Sequence, residues 1–272
     1  MIRDVQPQLD FDSVASRHLS TGTGQLNVIM LHGLFGKPRD WWPIMEALSD
    51  HYRFFALQLP IDRESDRQYR SFRSLSQLTD FVAKFIDDKQ LDNVVLVGNS
   101  LGGQLALDYY LRCPDRVHKI VLAGSAGLYE KSLSGGPLRL SRGLVRKQAC
   151  EIFYDSAVVT EELVDDIYTM LCDRNYRRFL LRVAKATRDR YMLDELGNVS
   201  VPTKVIWGRN DSITPPFVAE QFCEAIPCSE LTFIEQCGHS PPIERPQDFA
   251  RELHAFLIAS SPDHHHVIRK PR

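Results

Sequence analysis

Residues 94–107 read VVLVGNSLGGQLAL: an apolar run, three glycines around a lone serine, then a second apolar run. A glycine-rich turn between a strand and a helix serves one of two chemistries. It cradles a phosphate, or it lifts a single hydroxyl clear of a sheet. A phosphate loop requires G-x-x-x-x-G-K-[ST], or G-x-G-x-x-G directly after the first strand of a nucleotide-binding unit. Neither is present. GLFGKP at Gly33–Pro38 has the wrong spacing and puts a proline where the metal-binding hydroxyl belongs, and TGTGQL at Thr21–Leu26 lacks the third glycine and precedes a strand. What remains is G-x-S-x-G, as Gly98-Asn99-Ser100-Leu101-Gly102, after an apolar strand and at the start of a helix. Gly98 and Gly102 let the two backbones close on each other, and the helix aims its positive end at the turn.

A serine hydroxyl needs a base, and the base needs an acid to orient it. Asp211 follows the run KVIW in WGRNDSITP, and His239 follows LTFI in EQCGHSPP. Parallel strands deliver the loops at their carboxyl ends to one edge, so Ser100, Asp211 and His239 can meet there, in the chain order Ser, Asp, His. Taken singly, Asp211 also suits an Asx-turn before Pro215, and His239 is one of nine histidines. Glu130, beyond another predicted strand, is a second candidate for the acid; Asp194 and Glu195 fall in a different region. For the oxyanion, the backbone amide of Leu101 is one expected donor. The loop His32-Gly33-Leu34-Phe35-Gly36 follows the run VIML and supplies the other, the amide of Leu34. Gly33 permits the tight turn, and His32 is expected to brace the loop rather than to move protons.

Short β-branched runs alternate with longer helical patterns, the rhythm of an α/β fold with a mostly parallel sheet flanked by helices. Strands are predicted at Val28–Leu31, Phe54–Leu57, Val94–Val97, Ile120–Ala123, Lys204–Trp207 and Leu231–Ile234, with an antiparallel edge from Arg17. Helices are predicted at Trp42–Leu48, Leu75–Asp88, Leu101–Leu111, Pro216–Ala225 and Pro246–Ile258. Between Tyr129 and Leu196 the rhythm stops. Only charged, helix-like patterning appears there, with Pro137 and Gly197 near its edges. The expected organisation is a core of residues 1–128 and 197–260, a helical cap at 129–196, and a disordered tail at 261–272 that contains His264–His266.

Bulk composition narrows the function classes. The 272 residues are 43% hydrophobic and 25% charged, with a formal net charge of −2. Such a balance offers no general attraction for nucleic acid or anionic lipid. The most basic stretch, LRLSRGLVRK at Leu138–Lys147, spaces its cations as a solvated helix face does. No apolar run approaches the roughly 18 residues that span a bilayer, and the first residues carry no secretory signal. Six scattered cysteines show no paired spacing, which points away from zinc and disulfides and toward a cytoplasmic chain. Neither metal nor cofactor is expected, and the oligomeric state is left open.

HGLFG, GNSLGG, GRNDSITP and CGHSPPIERP, in that order from Arg17 to Ile258, resemble the α/β-hydrolase superfamily. The resemblance implies a hydrolase with an inserted cap, and the serine separates it from the branches whose nucleophile is aspartate. GNSLGG, VVTEELVDDIY and WGRNDSITP are most similar to the meta-cleavage product hydrolases, which cut carbon–carbon bonds in ring-opened dienoates. Three positions depart from that pattern. Ser240 stands where those enzymes have tryptophan after the histidine, Ile167 falls near their cap arginine, and QLPIDRES at Gln58–Ser65 replaces their D-x-P-G-x-G loop. The expected activity is therefore hydrolysis of small carboxylic esters. Carbon–carbon hydrolysis and a ligand receptor with little turnover are the alternatives.

Overall fold

The computed structural model describes residues 17–62, 72, 74–131 and 140–259. The predicted tail at 261–272 and Pro137 lie outside the described residues. Seven strands form one sheet: β1 (His18–Thr21), β2 (Asn27–Leu31), β3 (Arg53–Leu57), β4 (Val94–Asn99), β5 (Val117–Ala123), β6 (Thr203–Gly208) and β7 (Ser229–Ile234). Their spatial order is β1-β3-β2-β4-β5-β6-β7. β1 runs antiparallel to β3, and every other pairing is parallel. This is the predicted sheet with its predicted antiparallel edge. Several strands run two or three residues beyond the apolar runs that announce them.

Nine α-helices accompany the sheet among the described residues. In chain order they are α1 (Trp42–Leu48), α2 (Ser76–Asp88), α3 (Leu101–Arg112), α4 (Arg142–Ile152), α5 (Glu161–Cys172), α6 (Arg174–Asp189), α7 (Pro216–Ala225), α8 (Pro241–Glu244) and α9 (Pro246–Ile258). A parallel sheet needs cover on both faces, which is why β4 is buried at all six positions. Ile29, Leu31, Phe55, Leu57 and Leu96 point into one core with α2, α3 and α7. Val28, Met30, Phe54, Ala56, Val95 and Val97 point into the other, against α1 and α9.

The strand order also fixes where a site can form. The chain winds from β2 out to β3, returns, and then adds β4 on the other side of β2. The loops after β2 and β4 therefore part at the carboxyl edge and open a crevice between them. Leu31 pairs with Gly98 in that register, which sets His32–Gly33 beside Asn99–Ser100.

Between β5 and β6 the chain leaves the sheet for α4, α5 and α6. Each begins with a side-chain cap: Ser141 accepts from the Leu144 amide, Thr160 from Leu163, and Asp173 from Asn175 and Tyr176. Val145, Ala149, Val159 and Val164 make a small core of their own, with Ile167 packed against it. The basic face of α4 is not simply solvated. Arg142 pairs with Glu161 and Asp165, and Arg146 with Glu161. α6 turns its apolar stripe of Tyr176, Phe179, Leu180 and Val183 into the main core, and the Tyr176 hydroxyl donates to the Ile61 carbonyl at 2.7 Å. Among the described residues, no helix is long and apolar enough to cross a membrane.

Candidate active site

Ser100 sits between β4 and α3 at φ 54° and ψ −119°, a left-handed conformation that side chains rarely adopt. Its own backbone is tied on both sides. The Ser100 amide donates to the Ala123 carbonyl at 2.9 Å, and its carbonyl accepts from Gly103 and Ala126 at 3.0 and 3.1 Å. Close approach explains the flanking glycines. A Cβ on Gly98 would lie 2.3 Å from the Gly102 carbonyl group, and one on Gly102 would lie 2.0 Å from the Leu31 carbonyl oxygen. Any other residue at either position would push α3 off the sheet and carry the serine with it.

The loop after β2 closes against this turn. A Cβ on Gly33 would fall 3.2 Å from the Ser100 Cβ, so the two segments are in contact. His32 is buried, with Nε2 accepting the Leu59 amide at 3.1 Å and Nδ1 donating to the Gly33 carbonyl at 2.7 Å. Burial pulls its pKa down from 6.5 to about 4, so it is neutral at pH 7 and holds the loop in place. Because the folded value lies below the unfolded one, this contribution is present above pH 6.5. It is lost as the pH falls toward 4, at a cost of roughly 3 kcal/mol. Among the described residues, the amides of Leu34 and Leu101 donate to no protein acceptor.

Asp211 and His239 meet beyond β6 and β7. His239 Nδ1 lies 2.9 Å from Asp211 Oδ2, and both side chains are buried. The other oxygen, Oδ1, accepts the amides of Ile213 and Thr214 at 2.8 and 2.9 Å, and the Thr214 hydroxyl donates to Oδ2 at 2.8 Å. These bonds fix the carboxylate plane that the imidazole faces. Burial opposes charge on His239, but Asp211, with Glu130 and Glu244 adding to it, outweighs burial and holds the pKa above its ordinary value. Glu130 is half-buried, and burial raises its own pKa against the pull of His239 and Arg188. Asp211, not Glu130, makes the hydrogen bond. Glu195 pairs instead with Arg190, which also pairs with Asp108 of α3.

Asn99 joins the two halves. Its side-chain amide donates to the Ala123 carbonyl at 2.9 Å and to the His239 carbonyl at 3.1 Å. Sequence reasoning missed both Asn99 and Thr214. Thr214 had a signal, since it stands three residues after Asp211 in an Asx-turn spacing. Asn99 had none, because its acceptors are distant in the chain. Beside the loop after β2 lies a cavity of about 290 Å³, lined by Leu34, Phe35, Gln58, Ile61, Met170 and Tyr176. Its lining is mixed, since Lys37 and Asp62 join these residues at its wall, and its far side is built by Met170 and Tyr176 of the helical insertion.

This fold and loop arrangement define an α/β hydrolase. The family model "Alpha/beta hydrolase family" matches residues 28–252, and the chain belongs to that family. It is 31% identical over 257 residues to 2-hydroxy-6-oxononadienedioate/2-hydroxy-6-oxononatrienedioate hydrolase 1 of Pseudomonas putida, covering 87% of this chain and 89% of that one. Among solved structures, it is similar to MGS-MChE2, an alpha/beta hydrolase enzyme from the metagenome of lagoon sediments at Mar Chica, Morocco. There the identity is 29% and the TM-score 0.71, with 89% of this chain and 94% of that chain covered. It is also similar to a variant of CumD, a meta-cleavage product hydrolase from Pseudomonas fluorescens IP01. That match has 25% identity, a TM-score of 0.78, and coverage of 89% and 93%. The chain is thus a hydrolase of the α/β class.

Proposed function

We propose that the protein is a cofactor-independent serine hydrolase of small carboxylic esters that works through an acyl-enzyme. The observation that carries this reading is the buried 2.9 Å contact between His239 and Asp211, tied through Asn99 to a serine held at φ 54°. With Asp211 accepting the Nδ1 proton, the lone pair of Nε2 is left to take the proton of Ser100. The Ser100 oxygen then bonds to the ester carbonyl carbon. The displaced electron pair moves to the carbonyl oxygen, where the Leu34 and Leu101 amides and the start of α3 stabilise it. His239 returns its proton to the leaving alkoxide as the carbon–oxygen bond breaks, and an alcohol departs. Water gives a proton to His239 and attacks the acyl carbon, and Ser100 leaves with that proton as the acid is released. In this reading residues 129–196 form a cap over the site and residues 1–128 and 197–260 the hydrolase core. The separate small core shared by α4 and α5 supports that division.

Carbon–carbon hydrolysis is the second reading, favoured by the likeness to the Pseudomonas putida enzyme. Against it, Ile167 packs into the core of the insertion at the place where the resemblance expects a carboxylate-holding arginine. A fluorophosphonate probe and a series of p-nitrophenyl esters from acetate to dodecanoate test the choice. Stoichiometric labelling at Ser100 with a burst of p-nitrophenol is expected. A chain neither labelled nor showing a burst would sink the serine reading. Full labelling without turnover would mark a receptor, and faster turnover of ring-opened dienoates than of any ester would favour carbon–carbon cleavage.

The pH profile is a further expectation. His239 must be neutral to accept a proton, and its surroundings raise its pKa above 6.5. The acid limb of kcat/KM should therefore have its midpoint above pH 6.5, with activity rising through it. For stability the sign is opposite, because the bond between Asp211 and charged His239 contributes below pH 6.5 and is lost as the pH rises through the folded value. A midpoint at or below 6.5 would show that a different group is the base.

A further inference from the structure

The helical insertion is fastened to the two loops carrying Asp211 and His239, and the fastening is concentrated at one end of α4. The Ser212 hydroxyl donates to the Glu151 carbonyl at 2.7 Å, and the His239 amide donates to the Ile152 carbonyl at 2.8 Å. Gly238 lies so close that a Cβ there would sit 2.6 Å from the Ile152 oxygen and 2.8 Å from the Tyr154 nitrogen. One side chain spans the joint. Glu244, at the end of α8, accepts the Tyr154 amide at 2.7 Å, the Gly238 amide at 3.0 Å and the Ser240 amide at 3.2 Å. A single carboxylate thus holds the residue before His239, the residue after it, and the second residue beyond the end of α4.

We infer that Glu244 is a positioning residue that couples the seating of the helical cap to the placement of the His239 base, so that the imidazole is in register with Ser100 only while the α4 end is docked. The inference rests on the serine hydrolase reading above. Its physical basis is that three amides share one anion. Charge-assisted bonds to backbone amides are about twice as strong as neutral ones, and releasing the cap-side amide leaves the carboxylate free to swing away from the loop. Glu244 also adds negative charge near His239, alongside Asp211 and Glu130. The cap cannot lift at its α4 end without disturbing the base. Substrate entry must then use another edge of the insertion, such as that beside Met170 and Tyr176, which line the cavity at the loop after β2.

Two variants test the coupling. Glu244→Gln keeps the side-chain shape, removes the charge and turns an amide donor toward backbone donors. Tyr154→Pro leaves the carboxylate and its two loop amides untouched and removes only the cap-side N–H. Phe153, at φ −103° and ψ 146°, has the extended conformation that a following proline requires. Tyr154 is itself exposed, so no core packing is lost. Glu244→Gln is expected to lose at least 10-fold in kcat/KM on p-nitrophenyl esters and to move the acid limb to lower pH. Tyr154→Pro should lose several-fold in kcat with the acid limb in place. Hydrogen–deuterium exchange should rise together at residues 150–156 and 236–242 in both variants. Wild-type kcat in Tyr154→Pro, or faster exchange on only one side of the joint, would overturn the inference. If Glu244→Gln fails to fold, Tyr154→Pro decides alone. If the wild type itself is not labelled by a fluorophosphonate, the serine reading has failed, and the exchange data still decide whether the joint is coupled.

Discussion

Ser100→Ala is expected to lower kcat by about a million-fold while leaving the melting temperature and substrate affinity close to those of the wild type. The size follows from losing the covalent route altogether. With no oxygen to acylate, His239 and Asp211 have nothing to activate, and what remains is binding and oxyanion stabilisation. The fold should tolerate the change because alanine keeps the Cβ that packs against Gly33, and because the hydrogen bonds holding the turn are made by the backbone of residue 100. Steady-state kinetics with a p-nitrophenyl ester, beside a thermal melt, checks both halves. A variant that keeps more than a hundredth of wild-type turnover would show that Ser100 is not the nucleophile.

Asp211→Asn should cost about 10,000-fold in kcat with the chain still folded. Asparagine can keep the acceptor that takes the Ile213 and Thr214 amides, so the loop has a reason to hold its shape. Its other atom becomes an amide donor facing His239 Nδ1. The imidazole must then carry its proton on Nε2, where the proposed mechanism needs a lone pair. The acid limb should also move down, since the anion at 2.9 Å is gone and only Glu130 and Glu244 remain to favour the cation. Activity within 10-fold of wild type would make Glu130 the orienting acid, and the double variant with Glu130→Gln would then lose what the single variant kept.

Most of the architecture was legible because it rests on local signals. Apolar runs of β-branched residues gave the strands, and Gly98 and Gly102 on either side of Ser100 gave the turn, since only glycine admits backbones at those distances. Asp211 and His239 were legible because strand order alone sends their loops to one edge. Their partners were less so. Thr214 had its spacing from Asp211 to mark it, but Asn99 and Glu244 reach backbone groups brought near by the tertiary fold, at His239 and Tyr154, and no spacing along the chain marks such a contact. The insertion shows the same limit. Its helices could be read from their patterning, but their crossing and their anchorage at Ile152 and Tyr154 depend on packing. The cations of α4 are exposed as their spacing suggests, but their pairing with Glu161 was not legible because that partner lies a helix away.

The turn at Ser100 stores energy. A non-glycine residue at φ 54° and ψ −119° costs about 1–3 kcal/mol, a sizeable share of the 5–15 kcal/mol that keeps a typical domain folded. Glycine would relieve most of it, as it does at Gly124 and Gly127, which take φ 48° and 114°. A lineage released from the need for a hydroxyl would therefore gain stability by a single substitution at residue 100. Under the proposed serine mechanism, residue 100 is a place where reactivity is kept at the expense of thermal resilience.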